Sequence, residues 1–123
     1  SKKIEIFNLY KNELSKINGI RLNSEAEYVK NTYWMPTIIL DEKLGIDRNK
    51  MIDYLDLNGT PARPFFYPVS SCPEFEKLSN NTSSIQLGKN GINLPSYFDM
   101  TNEDIKKVSS NIIKYHSKSN NLF

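Results

Sequence analysis

The chain has 123 residues, 38% hydrophobic and 24% charged, with sixteen basic residues against fourteen acids and a net charge of +2. That length suits one domain spanning 1–123 and is short for two, and the composition is that of a soluble globular protein rather than a disordered tail. The charges are spread along the whole length and no apolar run approaches the ~20 residues that cross a bilayer, so neither nucleic acid nor a membrane is an expected partner.

The chain enters a helix almost at once. Phe7, Tyr10, Leu14 and Ile17 recur at the period of one helical face, which predicts a helix over residues 2–16. Asn18-Gly19 stops it, Ile20-Arg21-Leu22 is a short extended piece, and 24–30 is a polar connection. Residues 31–41 concentrate β-branched and aromatic side chains around Pro36 and read as the principal strand. Tyr33 and Trp34 in it are expected to pack.

Gly45-Ile46-Asp47 turns the chain, and Asp47 is placed to cap a helix over 48–57 with Met51, Ile52 and Leu55 inward. Asn58-Gly59 ends that helix.

Residues 60–73 then hold four prolines, the aromatics Phe65, Phe66 and Tyr67, and a lone arginine, Arg63. The prolines stiffen the segment and push their predecessors toward extended geometry, so it reads as the next strand. Regular alternation puts Arg63, Phe65 and Tyr67 on one face, with Phe66 and Pro68 on the other. A guanidinium beside flat rings suits a carboxylate or phosphate together with a sugar or base. An edge strand with its aromatics in the core and Arg63 paired to an acid accounts for the same residues.

Further on, 74–78 reads as a short helical turn, 79–84 as a loop of small polar residues, and 85–89 as another helical turn before Asn90-Gly91. Ile92 to Pro95 is extended. Thr101 with Asp104 three residues on resembles a capping box, opening a helix with Ile105, Val108, Ile112 and Tyr115 on one face. His116 is expected at that helix's end, favouring its dipole, and 117–123 as a frayed tail. Cys72 is the single cysteine and His116 the single histidine, far apart in sequence, so a disulfide, a Cys/His dyad and a metal cluster are not expected.

The fold class expected is α+β: a small antiparallel sheet of about three strands with helices on one face and the other face left free.

From Ala62 to Phe75 the run Ala-Arg-Pro-Phe-Phe-Tyr-Pro-Val-Ser-Ser-Cys-Pro-Glu-Phe closely resembles a segment in the C-terminal domain of DegT/StrS-type sugar-nucleotide aminotransferases. These are pyridoxal-phosphate enzymes of the aspartate-aminotransferase fold, and the likeness is greatest to the perosamine synthetase branch. Three more stretches agree in order and spacing: Tyr33-Trp34, Gly45-Ile46-Asp47-Arg48, and Gly91-Ile92-Asn93-Leu94-Pro95-Ser96 followed by Met100-Thr101-Asn102-Glu103-Asp104-Ile105. The resemblance covers about residues 1–115.

It implies a C-terminal small domain of a homodimeric enzyme, and the start Ser1-Lys2-Lys3-Ile4-Glu5, with no signal-peptide core, leads to the expectation that it is cytoplasmic. That enzyme moves an amino group from an amino acid, usually glutamate, through lysine-bound pyridoxal phosphate to a keto sugar on a nucleotide, with a GDP-linked 4-keto-6-deoxy sugar favoured. Such sugars enter lipopolysaccharide O-antigen and related surface glycans. The Schiff-base lysine and most cofactor contacts belong to a preceding large domain that is not in this chain, so no catalytic residue is named and the chain alone is expected neither to bind the cofactor nor to transaminate. By resemblance, Arg63, Phe66, Tyr67 and Ser70 fall in the segment that forms one wall of the substrate cleft. Many members carry histidine where this chain has Ser70, and perosamine-like ones often carry serine. The alternative is a stand-alone module that binds a sugar nucleotide or a partner without catalysis.

Overall fold

The computed structural model describes residues 1–77 and 80–121, with four α-helices and four short strands among them. Helix α1 (Lys2–Leu14) buries Ile6, Phe7, Tyr10 and Leu14, the expected stripe, and ends two residues early in a tight turn in which the Ile17 amide bonds to the Leu14 carbonyl. Strand β1 (Ile20–Leu22) follows as expected.

Strand β2 (Thr37–Leu40) is only the last part of the strand expected over 31–41. Ahead of it Tyr33 has φ of +50°, its amide bonded to the Asn31 side chain at 2.8 Å in a local turn, and Pro36 has no amide to give to a ladder. The Asn23 side chain compensates at the strand's start, accepting from the Thr37 amide at 2.7 Å and donating to the Met35 carbonyl at 3.2 Å. Tyr33 packs as expected, its ring stacked on Phe7 with centroids 3.8 Å apart.

Helix α2 (Arg48–Leu57) opens on the expected cap: the Asp47 carboxylate accepts from the Asn49 and Lys50 amides at 2.9 and 3.1 Å.

The segment over 60–73 is not one strand. Strand β3 is Arg63–Pro64 alone, pairing continues only to the Phe65 amide, and Val69–Ser71 forms a turn of 3-10 helix. Prolines at 61, 64 and 68 remove the donors that a longer ladder needs. The expected helical turn over 74–78 is absent from 74–77, where the Phe75 amide closes a simple turn onto Cys72. Leu78 and Ser79 lie outside the described residues, as do Leu122 and Phe123. Helix α3 (Thr82–Asn90) takes in the second half of the expected loop as well as the expected turn.

Strand β4 (Gly91–Asn93) leads to helix α4 (Asn102–Asn120), which runs four residues past His116. The tail is therefore helical through 120. His116 is buried within the helix, its Nε2 3.0 Å from the Asn18 carbonyl, and ties α4 to the turn after α1 rather than serving the helix dipole.

The sheet is antiparallel in the order β1-β2-β4-β3, four strands where about three were expected. The proline-rich β3 is at an edge, as proline favours. Register places Ile20, Leu40, Ile38 and Ile92 on one face, where they meet α1, α2 and α4 in a core with Tyr10, Met51, Leu55, Ile105 and Ile112. Such fully buried side chains each contribute on the order of 1.5–3 kcal/mol. Arg21, Ile39, Gly91, Thr37, Asn93 and Arg63 are on the other face. That face is not left free, because α3 lies over its Ile39 and Gly91 end. Only the Arg63 end stays open.

The expected capping box of α4 is complete, with the Thr101 amide and hydroxyl donating to Asp104 at 2.9 and 2.8 Å and the Asp104 amide returning to Thr101 at 3.2 Å. The Thr101 amide, and then its hydroxyl, hold the Asp104 carboxyl below the usual carboxylate range. A depressed folded pKa means stabilisation present above the unfolded value of about 3.9 and lost as pH falls through the folded one. Thr101→Ala is expected to cost about 1 kcal/mol in urea unfolding at neutral pH. Asp104→Asn should flatten the acid limb of stability against pH, and an unaltered limb would show the box carries none of it. Ser109, by contrast, buries a hydroxyl with no partner among the described residues, so Ser109→Ala should hold or raise the urea midpoint.

Candidate functional site

At the open end of the second face, the start of α1, the segment before β2, β3 and the residues after β4 enclose a cleft of about 410 Å³. Lys3, Trp34, Arg63, Phe66, Asn93 and Ser96 line it, with Met35, three prolines and Leu94. Its floor is a polar pair on the sheet: Thr37 donates its hydroxyl to the buried Asn93 amide oxygen at 2.8 Å, and the Asn93 amide reaches the Pro64 carbonyl at 3.5 Å. Helix α1 braces the far side. Tyr10 donates to the Pro95 carbonyl at 2.9 Å, and Lys3 donates to the Ser96 carbonyl and, at 3.0 Å, to its hydroxyl. Burial pushes the Tyr10 phenol well up from its ordinary value, so it stays a donor.

Of the expected residues, the cleft brings together Arg63 and Phe66. Arg63 is exposed, and its hydrogen bond among the described residues is a long one, 3.4 Å, to the Ala62 carbonyl. No acid pairs with it among the described residues, so the reading in which an ion pair holds it in place does not stand. Phe66 is 53% exposed and stacks on Trp34 with centroids 6.0 Å apart. Because the strand ends at Pro64 and its pairing at the Phe65 amide, the expected alternation fails: Phe66 turns to the side of Arg63, and Tyr67, 74% exposed, is not in the lining. The aromatics are therefore not core residues. Ser70 is elsewhere, in a hollow of about 290 Å³ with Ser71, Lys77 and Ile85.

Trp34, expected to pack, is 59% exposed and forms a wall of the cleft. It is the single tryptophan of the chain, a signal for it that the sequence carries in plain view. Lys3, Asn93 and Ser96 gave no local signal, since each reaches the cleft through tertiary packing.

The lining holds two cations, Lys3 and Arg63, and no carboxylate. With an arginine fork and an aromatic wall, such a cleft suits an anionic ligand that also carries a flat or ring-shaped apolar part. A hollow of about 430 Å³ behind α3 is of comparable size but is lined by both signs, Arg21 and Lys43 with Asp41 and Glu42. There Glu42 is already bonded to Asn90 and Lys89, which hold its carboxyl below the usual range.

The cleft does not make a complete pyridoxal-phosphate site from its own residues. The lysine that lines it is committed to Ser96, the Asp47 carboxylate takes the Asn49 and Lys50 amides of α2, and the Asp104 carboxylate takes the cap amide of Thr101. No group of three or more histidine, cysteine or acidic residues able to hold a metal occurs among the described residues, and no helix there is long and apolar enough to cross a membrane.

The chain is 30% identical over 116 residues to the GDP-perosamine synthase of Vibrio cholerae, covering 92% of this chain and 31% of that protein. It is also 30% identical over 118 residues to the GDP-perosamine synthase of Escherichia coli O157:H7, covering 95% of this chain and 31% of that one. The chain thus spans about 31% of the length of these curated relatives. Among solved structures it is similar in fold to DesI crystallised in the presence of its TDP-sugar product, with a TM-score of 0.82 at 18% identity, over 98% of this chain and 32% of that one. The model of the DegT/DnrJ/EryC1/StrS aminotransferase family matches residues 1–113, and the chain belongs to that family.

Proposed function

We propose that this chain is the C-terminal small domain of a sugar-nucleotide aminotransferase and forms one wall of its substrate cleft. In this reading a preceding large domain supplies the pyridoxal phosphate and its lysine. The amino group of a donor amino acid, glutamate in the favoured case, passes to the keto carbon of a 4-keto-6-deoxy sugar on a nucleoside diphosphate, and the donor leaves as its 2-oxo acid. GDP is the favoured nucleotide, the enzyme works as a cytoplasmic homodimer, and the product serves surface polysaccharide synthesis.

The observation that carries this reading is the cleft itself: Arg63, unpaired among the described residues, stands beside the Trp34–Phe66 stack in a chain of this family. The names of the relatives, GDP-perosamine synthases in two organisms, favour a GDP-linked sugar, and the DesI complex is consistent with a sugar nucleotide as ligand. Arg63 then meets an anionic oxygen of the ligand, a diphosphate oxygen or the donor carboxylate, and the rings cover an apolar part. Tyr67 and Ser70 remain in this reading as residues of the same segment that approach the ligand from outside the cleft.

The test uses the full-length enzyme with pyridoxal phosphate, glutamate and a GDP-linked 4-keto-6-deoxy sugar. Mass spectrometry is expected to show the carbonyl oxygen replaced by an amino group, with 2-oxoglutarate formed in step. A nucleotide sugar that binds and is recovered unchanged, without 2-oxoglutarate, would leave the stand-alone binding module as the better account. Loss of a charge-assisted hydrogen bond is worth about 1.5–3 kcal/mol, so Arg63→Ala should lower kcat/KM roughly 10- to 100-fold. Its melting temperature should not move, because Arg63 is exposed and has no acid partner among the described residues. Unaltered kcat/KM assigns Arg63 to the shape of the loop alone.

A further inference from the structure

We infer that Arg48, outside the cleft and hydrogen-bonded to none of its lining, is the positioning residue that fixes the Phe65–Pro68 segment and with it the aromatic wall. At the start of α2, the Arg48 Nη1 donates to two carbonyls, Gly88 in α3 at 2.9 Å and Gly91 at the start of β4 at 3.0 Å, while its Nε donates to the Asn49 side chain at 2.8 Å. The Gly91 carbonyl also accepts the Phe65 amide at 3.0 Å, the last ladder bond before the chain leaves the sheet toward Phe66. One oxygen therefore joins the guanidinium to the cleft segment.

The same segment is seated on the two glycines whose carbonyls Arg48 holds. A Cβ on Gly91 would come within 2.6 Å of the Phe65 Cβ, and one on Gly88 within 2.9 Å of the Pro68 Cδ and 3.4 Å of the Phe66 carbonyl. Phe65 and Pro68 thus lie directly against backbone, without an intervening side chain to take up slack. Moving the end of α3 moves the seat of Phe66, and Arg48 is the side chain that spans α2, α3 and β4 there. Lysine cannot replace it fully, since a compact ammonium lacks the planar fork that serves the carbonyls and Asn49 together.

The relevance of this device to catalysis rests on the cleft reading given under Proposed function; the device itself does not. Trp34 is the single tryptophan of the chain and stacks on Phe66, so its fluorescence reads the position of the wall directly. In this chain Arg48→Met is expected to shift the Trp34 emission and raise its quenching by acrylamide while far-ultraviolet circular dichroism keeps its helical signal. Asp47→Ala, which removes the α2 cap one residue away but has no bond to α3 or β4, is the control for a purely structural loss and should leave Trp34 unchanged. If Arg48→Met does not fold, Arg48→Lys takes its place, with a smaller shift of the same sign. Gly88→Ala, which pushes on Pro68 from α3, should also shift Trp34 with the helix intact.

A Trp34 signal in the Arg48 variant no different from that of Asp47→Ala at equal stability overturns the inference. In the full-length enzyme the displaced wall is expected to raise KM for the nucleotide sugar more than it lowers kcat. A Trp34 shift with KM unmoved upholds the positioning role of Arg48 and counts against the cleft reading instead.

Discussion

The Gly91 carbonyl takes two donors at 3.0 Å, the Phe65 amide and the Arg48 guanidinium, and this one oxygen is where the helical layer, the sheet and the cleft segment meet. A carbonyl has two lone pairs, so both are used. Strand β4, which begins at this residue, is buried along its whole length between β2 and β3. Its neighbours take their register from it: Ile92 faces Ile38 and Pro64, and Asn93 faces Thr37 and Arg63. The core and the cleft are consequently two faces of the same three residues. Ile92 anchors one and Asn93 the other.

This arrangement explains why the cleft can hold two cations with no carboxylate in its lining. Its floor is satisfied without charge, through the Thr37–Asn93 hydrogen bond, and Lys3 is held by the neutral Ser96. Nothing in the lining neutralises Arg63, and the field at the mouth favours an anion. Behind α3 the lining carries charges of both signs, with Glu42 already paired to Lys89, and that hollow has no comparable bias. The function proposed above would give this bias a use, since both substrates of a sugar-nucleotide transamination are anionic.

Much of this was legible in the sequence, and the reason differs from element to element. Helices α1, α2 and α4 declared themselves because a period of 3.6 and a local cap are short-range signals; the Asp47 and Thr101 caps stand where the sequence put them. The strands were overextended because β-branched and aromatic residues were read as ladder residues, while a left-handed Tyr33 and three prolines interrupt the ladder. Helix α3 was shortened because Thr82, Ser83 and Ser84 look like a loop, and its docking depends on Gly88 and Gly91 meeting the distant Phe65–Pro68 segment. Arg63 stood out from composition, whereas Phe66 was put in the cleft segment only by the family resemblance, since regular alternation had set it on the opposite face. Lys3 gave no such signal, and Trp34, though the single tryptophan, was expected to pack, because only tertiary contact brings residues 3, 34, 63 and 66 to one opening.

Tyr33 shows backbone and side chain in opposition. Its φ of +50° lies where a side chain with a bulky ring is costly, on the order of 1–2 kcal/mol, yet the ring stacks flat over Phe7. An aromatic pair of this kind contributes about 0.5–1.5 kcal/mol beyond its area, so the two effects are of similar size. The backbone and side-chain demands at position 33 are for that reason close to balanced. Asparagine or glycine satisfies the backbone and uncovers Phe7, phenylalanine keeps the cover and the strain, and a lineage can drift between the two solutions with little net change in stability.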